Sequence, residues 1–185
     1  LILASLLLST RCSFCNAFTI SMASVVFPLP LSPVTTTFPQ AEFHYINAGI
    51  GGTTSHFGTA RAESDLLSHK PDFVIIEFSV NDESTEFFRE TYEGLVRRVW
   101  QDENEPAVLL VHNVYYNNGG NAQIMHGQIA RHYQLPAVSM QSSIYPEVVA
   151  GRIPNRDITE DDLHPNDKGH ELVASVITYA LEKIH

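Results

Sequence analysis

Asp72-Phe73-Val74-Ile75-Ile76-Glu77-Phe78 is a near-continuous apolar run, closed by Ser79-Val80-Asn81-Asp82. A strand with one wet face alternates apolar and polar residues. This one does not, so it predicts a strand covered on both faces, as in the middle of a parallel sheet. Ala107 to Val111 reads the same way, and shorter strands are expected at Phe43–Ile46 and Ala137–Ser139. Helical spacing fills the intervals. A helix is expected over about His56–Ser68, with Leu66 and Leu67 facing inward. Another spans about Thr85–Gln101, with Phe88, Tyr92, Leu95, Val99 and Trp100 in one stripe. A third covers Asn121–Tyr133, and a closing helix runs over Asp167–Ile184 with Asn166 as its N-cap. Strands alternating with helices make a parallel α/β sheet covered on both faces. In such sheets reactive groups collect beyond the carboxyl ends of the strands.

A chain of 185 residues suits one domain with a sizeable core. Its net charge of −10 argues against nucleic acid or an anionic membrane surface as partner. Cys12 and Cys15 form a single C-x-x-C without the second ligand pair that zinc needs, and read as two incidental thiols. Composition changes near Phe38: before it, Arg11 is the only charged residue. Leu1 to Leu8 is apolar but too short to span a bilayer, and no basic segment or start methionine precedes it. It reads as a cut-off signal peptide, a buried strand, or sequence foreign to the domain. The missing methionine favours a fragment or an aberrant gene model. Residues 1–37 are therefore set apart as an atypical leader and 38–185 as the domain, with cytoplasmic and secreted locations both open.

Three blocks follow strand ends. Asn47-Ala48-Gly49-Ile50-Gly51-Gly52 can aim a backbone N–H into a cleft, although an ordinary tight turn would look alike. It misses the dinucleotide fingerprint, because Thr54 stands where the third glycine belongs. Asn81 presents an amide donor that, with the Gly52 N–H, would make a two-donor oxyanion hole; Asp82 could be no more than a turn residue or cap. Finally, Asp161-Asp162-Leu163-His164-Pro165-Asn166 sets a carboxylate three residues before a histidine. Asp161 can turn back onto one ring nitrogen and leave the other toward a cleft, as a general base requires. Asp162, two residues away, is the alternative orienting acid.

Together these blocks resemble the SGNH hydrolases, also called the GDSL-like lipase/acylhydrolase superfamily, from about Phe38 to the C-terminus. The resemblance implies a three-layer α/β/α sandwich with a flavodoxin-like parallel sheet. It also implies oxyanion donors at Gly52 and Asn81, an acid–base pair at Asp161 and His164, and no metal or organic cofactor. Substrates would be small carboxylic esters, including acylated carbohydrates and lysophospholipids. Asn113, Tyr115, Tyr116, Asn117 and Asn118 could line a sugar pocket or form a plain polar loop. Ser79 departs from the family by replacing the glycine of its G-x-N-D block. A larger departure is that no Gly-Asp-Ser occurs in the sequence. That block carries the nucleophile and a third oxyanion donor, so the first strand is expected to be missing or replaced, and prolines 28, 30 and 33 disfavour the helix that should follow it. Ser9 and Ser13 read as ordinary hydroxyls, and the nucleophile is unassigned. Two rivals stand beside the serine esterase: a catalytically silent SGNH-fold binding module or truncated product, and a flavodoxin-like nucleotide binder. The second of these leaves Asn81, Asp161 and His164 unexplained.

Overall fold

The computed structural model describes residues 4–9 and 42–184. Ser13, Cys12, Cys15 and the three leader prolines lie outside the described residues. Among the described residues, five strands form one sheet in the order β2-β1-β3-β4-β5: β1 (Ala4–Ser9), β2 (Glu42–Asn47), β3 (Phe73–Ile76), β4 (Ala107–His112) and β5 (Ala137–Ser139). β3, β4 and β5 pair in parallel, with Phe73 opposite Ala107 and Leu110 opposite Ala137. Successive residues of β3 point to opposite faces and both faces are covered. Val74 and Ile76 join one apolar cluster, Phe73 and Ile75 the other. The unbroken apolar run is the direct consequence, each such side chain contributing about 1.5–3 kcal/mol when fully buried.

α1 (Ser55–Asp65), α2 (Glu86–Trp100) and α3 (Gln123–Tyr133) cover the first face through Ala62, Leu95, Val99 and Ile129. The second face carries the short helices α4 (Met140–Ser143), α5 (Tyr145–Val149) and α6 (Asn155–Ile158), and the closing α7 (Asp167–Lys183). Met140, Ile158 and Ile177 belong to that side's core. This is the α/β/α sandwich, and no described helix is long and apolar enough to cross a membrane.

Element limits differ from expectation where local chemistry intervenes. The helix expected to reach Ser68 ends at Asp65, because Leu66 leaves helical geometry at φ −131°, and a separate turn follows over Leu67–His69. In α2, Thr85 and Gln101 are the caps, and Val96 replaces Trp100 in the buried stripe; Trp100 is 40% exposed. Asn121 precedes α3, where its side chain donates to the Asn113 carbonyl and accepts from Gln123 N. Asn166 caps α7 as expected, accepting from Gly169 N at 3.1 Å. The short helices α4 to α6 were not legible.

The strand expected to be missing or replaced is replaced. β1 occupies the seat between β2 and β3 but runs antiparallel to both. Its Ala4 pairs with Asn47, the last residue of β2, and its Ser9 with Glu42, the first. Ser9 therefore stands at the sheet edge opposite Asn47, about 17 Å away along the strand.

Candidate active site

The first two blocks leave the carboxyl ends of β2 and β3, whereas the third, also expected after a strand, follows α6 and joins the loop after β4 through the Tyr116 N–H. Gly52 follows β2 in a turn closed by Asn47 Oδ1 accepting from Gly49 N at 2.9 Å and by Thr53 Oγ1 donating to the Ile50 carbonyl at 2.7 Å. At φ +70° Gly52 adopts the left-handed conformation that L side chains resist, though a Cβ there would meet open space. Backbone conformation, then, is what calls for glycine here. Asn81 follows β3, its N–H bonded to the Phe78 carbonyl at 3.0 Å. Its Oδ1 is buried without a hydrogen-bond partner among the described residues. An orphaned buried acceptor costs about 1–3 kcal/mol, and such costs persist mainly where a side chain has other work.

The third block is a loop folded around one carboxylate. Asp161 Oδ1 accepts from the backbone N–H of Leu163 at 3.1 Å and of His164 at 2.8 Å, and Thr159 Oγ1 lies 3.2 Å away. Oδ2 lies 2.5 Å from His164 Nδ1. These donors, the His164 ring first, hold the Asp161 carboxyl far below its usual range. An ionised carboxylate can only accept, so Nδ1 carries the proton and Nε2, the acceptor, points away from Asp161. The side chains of both residues are more than half exposed, so the pair adds little stability; what it achieves is orientation. Asp162 is turned elsewhere: at φ +70° its carboxylate takes Asn155 Nδ2 at 2.6 Å and the Arg156 guanidinium at 2.9 Å. Of the two candidate acids, Asp161 is the one that meets the ring. Gly169 lets α7 start close behind, since a Cβ there would press on the Ile158 carbonyl and lie 2.9 Å from Pro165 Cβ.

Beneath these loops lies a polar network that the sequence did not reveal. Asp82 is fully buried and joins two blocks: Oδ1 accepts from Ser55 N at 2.9 Å, while Oδ2 lies 3.0 Å from His126 Nε2. Ser55 opens the helix after the glycine turn and Asp82 adjoins Asn81, so this one carboxylate ties the glycine turn to the Asn81 block. The His126 ring stacks on Tyr92 at 3.6 Å between centroids. Nearby, buried Glu77 accepts from Ser79 N at 2.8 Å and Asn113 N at 3.3 Å, and Ser79 Oγ lies 2.7 Å from the same Glu77 oxygen. Burial raises the Glu77 carboxyl above its ordinary value. Burial likewise, with the neighbouring His126 charge second, depresses His112 to about 3.

The loop after β4 is partly structural. Tyr116 is buried, its hydroxyl pushed up to about 12 by burial, and its N–H donates to the Asp162 carbonyl at 2.7 Å. Asn118 folds back onto Gly120 N, leaving Asn117 and Asn118 exposed. A cavity of about 570 Å³ opens between α3 and β5, but none of Gly52, Asn81, Asp161 or His164 lines it.

Residues 36–172 match the model of the GDSL-like Lipase/Acylhydrolase family. The chain belongs to this family. Among solved structures it is similar to a two-domain esterase active on acetylated mannans, at 79% identity and a TM-score of 0.74, over 75% of this chain and 38% of that one. It thus spans little more than a third of that esterase. An acetyl xylan esterase shares the fold at 22% identity and a TM-score of 0.60, over 71% of this chain and 78% of that one. Thioesterase 1/protease 1/lysophospholipase L1 of Escherichia coli K12 is 23% identical over 155 residues, which is 78% of this chain and 70% of that protein. Within this GDSL-like family, Ser79 in place of glycine is accommodated by its bonds to Glu77. The block without a counterpart in the sequence is Gly-Asp-Ser, and Ser9 ends its strand at the wrong edge to meet His164.

Proposed function

We propose that this chain is the esterase portion of a carbohydrate acetylesterase, removing acetyl groups from polysaccharide hydroxyls. The observation that carries this reading is the 79% identity to an esterase active on acetylated mannans. The Asp161–His164 geometry supplies the chemistry. In the reaction, the nucleophile is a serine hydroxyl, unassigned in this sequence, that attacks the acetyl carbonyl while His164 Nε2 takes its proton. The Gly52 N–H and the Asn81 side-chain NH2 hold the developing oxyanion, each donor contributing a few kcal/mol to lowering the barrier. His164 then protonates the departing sugar oxygen. Water, activated by the same nitrogen, releases acetate from the acyl-enzyme. Asp161 fixes the tautomer and stays ionised throughout.

A second reading, a catalytically silent member that binds acetylated glycan without cleaving it, is favoured by the missing Gly-Asp-Ser. Acetate release from acetylated manno-oligosaccharides separates the two, with a lysophospholipid run in parallel. Release that disappears in His164→Ala supports the acetylesterase. Cleavage of the lysophospholipid alone would overturn the substrate class, and no release from either would favour the silent module.

A further inference from the structure

We infer that His56 and Phe87 form an aromatic shelf that takes the apolar face of a pyranose ring next to the acetylated sugar. The inference rests on the carbohydrate reading above and adds to it a specific subsite. His56 is the second residue of α1 and Phe87 the second residue of α2. The two helices begin side by side, because Asp82, between Asn81 and α2, holds the N–H of Ser55, which opens α1. The rings of His56 and Phe87 lie 5.7 Å apart between centroids at a 58° tilt, and Phe88 packs its edge against Phe87 at 5.1 Å. Phe88 is half-buried, yet Phe87 leaves 54% of its surface in water and His56 is also exposed.

A large ring held out in solvent at the rim of a site forgoes burial unless a ligand supplies it. The chemistry around the shelf selects that ligand. Glu83 and Ser84 are exposed on the segment leading from Asn81 to Phe87, and offer acceptors to hydroxyl groups. Arg89, the cation on the first turns of α2, is engaged by Glu86 and Glu93, so it is not free for a phosphate. Apolar ring faces beside hydroxyl-binding groups fit a neutral sugar rather than a phospholipid headgroup. His56 follows Gly52 by four positions and Phe87 follows Asn81 by six, which sets the shelf next to the groups that would hold the acetyl ester.

The test is titration of the full chain with mannopentaose, a sugar with no ester to cleave, followed by the ring resonances of Phe87 and His56. Binding is expected to shift both. Phe87→Ala is expected to weaken the association at least about fivefold, from the loss of an aromatic contact. Phe87→Trp should retain it, and Tyr179→Ala, an exposed aromatic on α7, should bind as the unaltered chain does. Absence of mannopentaose binding, or equal binding by Phe87→Ala, would overturn the shelf. Acetate release measured on the same samples reports the acetylesterase reading separately: sugar bound without acetate release leaves the shelf standing and removes the esterase.

Discussion

Replacing Asp82 by alanine tests whether one buried carboxylate holds the glycine turn and the Asn81 block together. Its side chain is fully buried and satisfies Ser55 N–H at 2.9 Å and His126 Nε2 at 3.0 Å. Alanine leaves both donors buried and unpaired, and His126 Nδ1 already lacks a partner among the described residues. At about 1–3 kcal/mol per stranded group, the loss is about 2–6 kcal/mol. For a domain of this size that lowers the melting temperature by roughly 10 °C. Asp82→Asn keeps one acceptor oxygen for Ser55 and can meet His126 through its NH2 with the ring tautomer reversed, so it should lose less than half as much. Calorimetry of the three proteins at one pH measures this. An Asp82→Ala melting temperature within about 2 °C of the unaltered chain would refute the reasoning, and the tie between the glycine turn and Asn81 with it.

Asp161→Asn should lower kcat on the order of 10²–10⁴-fold with KM little changed, since the ring loses its tautomer and orientation but no substrate contact; steady-state kinetics on an acetyl ester checks the split. His112 is depressed from 6.5 to about 3, so the unfolded chain binds its proton first. Stability from this group is complete above 6.5 and falls as pH drops toward 3, by at most about 1.4 kcal/mol per pH unit. His112→Leu also removes two buried ring nitrogens without partners among the described residues, so its urea midpoint should equal or exceed that of the unaltered chain at pH 8, and the gap should widen on acidification. The 38–185 fragment lacks β1 and bares the edges of β2 and β3, so it should aggregate; a monodisperse fragment that unfolds cooperatively, seen by light scattering and circular dichroism, would contradict this.

Much of the fold was legible because its signals are local. The unbroken apolar run at Phe73–Ile76 needs cover on both faces, and α7 is announced by Asn166 and the glycine three residues on. Asp161 and His164 could be paired from sequence because one short loop carries both. What stayed hidden depends on residues far apart in the chain. Asp82 and His126 are separated by 44 positions and Glu77 and Asn113 by 36, with no spacing rule to join them. The direction of β1 was hidden too, because an apolar strand reads alike in either sense; only its register against Asn47 and Val74 fixes it. The short helices α4 to α6 carry too few residues for any periodicity to show.

Hydrolysis of p-nitrophenyl acetate by the full chain, beside His164→Ala, tests the central claim most directly. The account predicts turnover well above the spontaneous rate that collapses to background in the variant. Turnover by the unaltered chain no faster than that of His164→Ala would contradict it.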